Sequence, residues 1–92
     1  MSASDVRLTP RLLRAARAMV GWQQLDVANA SGVPKPTISA FELKPESGKL
    51  TTMNNRALVE AFEQAGLEFI PENGGGEGVR FRMRKDGTRD EH

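Results

Sequence analysis

The stretch VPKPTISAFE, Val33 to Glu42, sets a cation, Lys35, and two hydroxyls, Thr37 and Ser39, within five residues, with Pro34 and Pro36 on either side of the lysine. Such groups can hold phosphate oxygens and base edges. The rest of the chain adds no catalytic chemistry. Its one His is His92 at the end of the sequence, it has no Cys, and no Ser–His–acid set or carboxylate pair can be assembled. The expectation is therefore a binding protein, not an enzyme, with no metal and no cofactor.

These groups need a rigid support, and helical spacing supplies one. Thr9-Pro10 reads as an N-cap followed by proline at the first helical position. Leu12, Ala16, Met19 and Val20 then recur on one face until Gly21. A second helix is expected from Gln24 to Ser31, with small residues Val27, Ala28 and Ser31 for close packing. Gly32 follows in a tight turn, and Val33 plugs the core. A third helix runs from Lys35 to Leu43, with Ile38 and Phe41 inward. A fourth spans Thr52 to Ala65 with a core stripe of Met53, Ala57, Leu58, Ala61, Phe62 and Ala65.

Beyond Gly66 the period changes to two. Val79, Phe81 and Met83 alternate with Arg80, Arg82 and Arg84, which reads as a strand with one apolar face. Leu67 to Ile70 is its candidate partner across the Gly-rich PENGGGEG turn. Residues 1–7 read as a free arm, 8–66 as the helical domain, 67–84 as the hairpin and 85–92 as a disordered tail.

The 92 residues suit one domain with a small core. Net charge is only +1, but residues 1–50 hold seven Lys/Arg against four Asp/Glu, and residues 51–92 hold six against eight. The first half is thus the one suited to an anionic surface. No apolar segment suits a signal peptide or a membrane span, and the lack of Cys fits a reducing, cytoplasmic setting.

Two helices about a Gly-containing turn, with small residues inward, describe a helix-turn-helix, whose second helix enters the major groove by its N-terminal end. That role explains the prolines. The first turn of a helix has N–H groups without helical partners, so Pro34 and Pro36 remove donors that had none, and they stiffen the entry. Gly21-Trp22-Gln23-Gln24, Ala28, Gly32-Val33, Thr37-Ile38 and Glu42 resemble the Xre family of lambda-repressor-like DNA-binding proteins. The likeness covers about Leu8 to Ile70 and extends to the AGLEFI segment, Gly-rich turn and basic strand of short bacterial regulators of that type. The chain departs from the family at Gln23 and Pro34, where Ser is frequent, and at Pro36.

The resemblance implies a mostly α fold: a lambda-repressor-like bundle of four helices followed by a C-terminal β-hairpin. It also implies a sequence-specific regulator of transcription, most simply a repressor, that binds double-stranded DNA. By position, Gln24 bonds a phosphate, while Lys35, Pro36, Ser39 and Ala40 face the groove. Lys35 can donate to guanine, Pro36 and Ala40 can touch thymine methyls, and Thr37 can reach a phosphate or a base edge. Lys44 and Lys49 flank the loop where the family grips the backbone. Arg11 and Arg14 are either further phosphate contacts or a solvated face.

Trp22, at a joint between helices, is expected in the core and not as a base-stacking platform. Glu42 is expected to bond within the helix-turn-helix or to pair with an Arg. The run Asn73-Gly74-Gly75-Gly76 is expected as a flexible tip, not an anion site. Arg80, Arg82 and Arg84 form either a basic stripe for DNA or acidic partners, or the polar face of a half-buried strand. Because an isolated hairpin is marginal, it must pack on the helices or on another copy. A homodimer through it, reading a palindromic operator, is the expectation. The alternative is an antitoxin-type protein that holds a partner protein by its C-terminal strand.

Overall fold

In a computed structural model, which describes residues 6–83, four helices are followed by a two-stranded antiparallel hairpin. They are α1 (Pro10–Val20), α2 (Gln24–Ser31), α3 (Lys35–Glu42), α4 (Thr52–Gln64), β1 (Leu67–Ile70) and β2 (Gly78–Phe81). Residues 1–5 of the expected arm, Arg84 and the expected tail at 85–92 lie outside the described residues.

Local chemistry fixes the helix starts. Thr9 is extended at φ −106°, and its hydroxyl accepts from the Leu12 N–H at 3.1 Å, with Pro10 following as the first helical residue. Thr51 does the same for α4, accepting from the Asn54 N–H at 3.1 Å. At α2 the roles are reversed: the Gln23 N–H donates to the Asp26 carboxylate at 2.8 Å. Gly32, at φ 80°, turns the chain between α2 and α3 in a left-handed conformation that costs a residue with a Cβ energy. Pro34 is the N-cap of α3 and supplies no side-chain bond; its carbonyl takes the Thr37 and Ile38 N–H groups at 3.0 and 3.2 Å.

The core joins Leu8, Leu12, Leu13 and Ala16 to Val27, Val33, Ile38 and Phe41, and these to Leu58, Val59 and Phe62. Trp22 packs against it as expected, with its ring centroid 5.4 Å from that of Phe62. Phe62 meets Phe69 edge-on at 6.1 Å, so β1 is an integral part of the core. Leu67 and Phe69 are buried, and Val79 packs beside them. The hairpin therefore rests on its own helices.

Several expectations need correction. Met53 is not a core residue but 79% exposed, because it lies in the first turn of α4, and Val59 takes a core place instead. The segment before α1 is not free up to Arg7. Val6 is buried, and Asn55 clamps the chain there, donating to the Val6 carbonyl at 2.6 Å and accepting from the Leu8 N–H at 2.8 Å. Helices α3 and α4 each stop one residue sooner, and β2 runs from Gly78 to Phe81 only. The apolar face of that strand outruns its cover: Phe81 is 48% and Met83 49% exposed.

Arg80 and Arg82 each have a hydrogen-bond partner within the fold. Glu68 stands opposite Arg80 in the register and pairs with it at 3.1 Å in the open, where such a contact contributes little. Arg82 donates to the Glu63 carbonyl in the last turn of α4, where a cation meets the negative end of the helix dipole.

Candidate nucleic-acid interface

Helix α3 divides into two sides. Ile38 and Phe41 are fully buried, and they fix the helix by its inner face. Lys35, Pro36 and Ala40 are exposed, while Thr37 and Ser39 are partly covered. The leading end thus projects outward, and its first turn carries a cation and few free amides.

Glu42 locks α3 to its neighbours. It is 7% exposed, and its carboxylate accepts from Arg17 Nε at 2.7 Å, Arg17 Nη2 at 2.8 Å and Gln24 Nε2 at 3.0 Å. Arg17 also donates to the Trp22 carbonyl at 3.2 Å, and Arg14 donates to the backbone carbonyl of Glu42 at 2.7 Å. The hydrogen bonds it donates to Glu42 hold the Arg17 guanidinium above its usual pKa; partial burial opposes this, and the carboxylate's charge adds to it. A raised arginine pKa contributes stability at every pH below the ordinary arginine value, so this group stays charged at any working pH.

Ser39 Oγ donates to Gln24 Oε1. Two expected DNA contacts, Gln24 and Ser39, are therefore hydrogen-bonded to each other across the turn. Gln24 retains its second amide hydrogen, and it sits at the first position of α2, as its expected phosphate role requires.

Beyond α3, Lys44 and Lys49 are exposed and line one groove of about 380 Å³ together with Pro36, Thr37, Ala40 and the start of α4. Lys44 reaches back toward the Lys49 carbonyl at 3.4 Å, a long contact that a phosphate oxygen can replace. Pro36, Ala40, Lys44 and Lys49 thus share one accessible side, and Lys35 is exposed at the start of the same helix. Arg11 and Arg14 are exposed; Arg14 donates to the Glu42 carbonyl on α3, and the backbone N–H of Arg11 donates to Glu46 at 3.1 Å.

Two features had little signal in the sequence. Arg17 was one of three arginines at spacing three, and spacing alone does not choose the one that meets Glu42. Leu43, 87% exposed just after α3, is the most exposed of the large hydrophobic residues described, and it was expected only as the end of a helix.

Among the described residues no three His, Cys, Asp or Glu side chains gather to hold a metal ion, and no helix is long and apolar enough to cross a membrane. Compared with known proteins, the chain matches no family model and no curated protein.

Proposed function

We propose that the chain is a sequence-specific double-stranded DNA-binding regulator of transcription, a cytoplasmic repressor of the lambda-repressor-like Xre type. Helix α3 enters the major groove from its Lys35 end, α2 lies across the backbone, and Lys44 and Lys49 hold phosphates. The observation that carries this reading is the exposure of Lys35, Pro36 and Ala40 on a helix whose other side is fixed by Ile38, Phe41 and Glu42. A groove reader needs such a rigid, projecting end. The test is selection of bound fragments from a random duplex library. A shared short site is the expected result, and recovery of unrelated sequences would overturn the reading.

One module of this size makes few base contacts, so two copies on a palindromic site would supply the missing selectivity. The half-exposed Phe81 and Met83 on the C-terminal strand favour a protein partner there, and a second copy is the simplest one. The full chain is expected to be a dimer by light scattering, and the double variant Phe81→Asp, Met83→Asp a folded monomer. A monomeric full chain would contradict the homodimer. It would favour the antitoxin-type alternative, in which the same strand holds a different protein.

A further inference from the structure

We infer that the chain reads its site chiefly through thymine methyl groups, with Leu43 as a specificity-determining residue beside Pro36 and Ala40. The inference rests on the DNA-binding reading and concerns how that interface discriminates. Helix α3, KPTISAFE, contains no Arg, Asn or Gln, the residues that make bidentate bonds to guanine and adenine. Its Ser39 hydroxyl is given to Gln24, and the Gln24 amide is shared with Glu42. Hydrogen-bonded readout from α3 is left to Lys35 and the partly covered Thr37.

What the outer side offers instead is apolar. Pro36, Ala40 and Leu43 fall at i, i+4 and i+7, one stripe along the helix, and all three are exposed. From Pro36 to Leu43 the stripe rises about 10 Å. Cations adjoin it in sequence, Lys35 before it and Lys44 after it, and both are exposed. A single exposed leucine is unremarkable, but an apolar line flanked by cations suits a major-groove floor that carries methyl groups.

The test uses synthetic duplexes of the selected site in which each thymine in turn is replaced by deoxyuridine, which removes only the methyl. Binding is measured by fluorescence anisotropy with the full chain and with Leu43→Ser, a change at an exposed position that leaves the core intact. Binding to the intact chain is expected to weaken about fourfold at one or more thymines, the size expected for one buried methyl. In Leu43→Ser one of those penalties should vanish. Neutral deoxyuridine at every position of a bound site would overturn the inference, as would penalties unchanged in Leu43→Ser. So would a change in oligomeric mass on Leu43→Ser, which would place a protein on the stripe. Failure of the intact chain to bind any duplex is a different result, and it would remove the DNA-binding reading itself.

Discussion

Replacing Glu42 with alanine is expected to lower the unfolding free energy by about 3 kcal/mol, the scale of breaking a largely buried ion pair from one side. The carboxylate serves two donors of Arg17 and one of Gln24, so its loss leaves groups on α1 and α2 without an acceptor. Arg17 is 23% exposed and can recover some hydration, which keeps the cost below that of a fully enclosed pair. Ser39 loses its fixed partner as Gln24 turns free, and the two helices of the proposed DNA-binding unit loosen together. Urea denaturation gives the free energy, and an unchanged m-value would show that only stability moved. Pairing the change with Arg17→Met should recover much of the loss, because no buried cation is then stranded. A cost under about 1 kcal/mol would mean that Glu42 does not hold α3 in place.

A second large effect is expected when Lys35, Lys44 and Lys49 are all changed to alanine. Affinity for the selected site should fall about a hundredfold or more at physiological salt, with no loss of stability, since all three side chains are exposed. Removing the two phosphate contacts of Lys44 and Lys49 should also flatten the plot of log affinity against log salt by about 1.8. A fall of less than about threefold, with an unchanged salt slope, would show that this side does not meet the phosphate backbone.

Much of the fold was legible because its signals are local. Thr9-Pro10, Gly21, Gly32 and Gly66 act within a turn or two of the chain, and the helices lie within a residue of their expected limits. The strand alternation also marked the hairpin, although the regular strand β2 ends at Phe81. What could not be read depends on which neighbours cover a face. Met53 has the right spacing for the core, but the first turn of α4 extends past its cover. Val59 is buried because α4 packs against both α2 and β1, which widens its apolar face beyond a single stripe. Phe81 and Met83 alternate correctly, yet each is left about half exposed.

The candidate interface divides in the same way. Exposure of Lys35, Pro36 and Ala40 follows from the helical period once Ile38 and Phe41 are placed inward. The bond from Ser39 to Gln24 joins residues 15 apart in sequence, and it depends on how α2 crosses α3, which no spacing rule supplies. It also shifts the expected roles, because a hydroxyl that holds the turn together is less free to read a base. The capless start at Pro34 is explained by the same geometry: Thr37 and Ile38 already have the Pro34 carbonyl, so the helix start needs no side-chain cap.

The most direct measurement is the mapping of backbone amide shifts by NMR as a duplex carrying the selected site is added to the full chain. If the leading end of α3 enters the groove, the largest changes fall on Lys35, Thr37, Ala40, Lys44 and Lys49, while Glu68 and Arg80 on the hairpin move little. Changes centred on the hairpin, with the amides of α3 unmoved, would contradict the proposed docking.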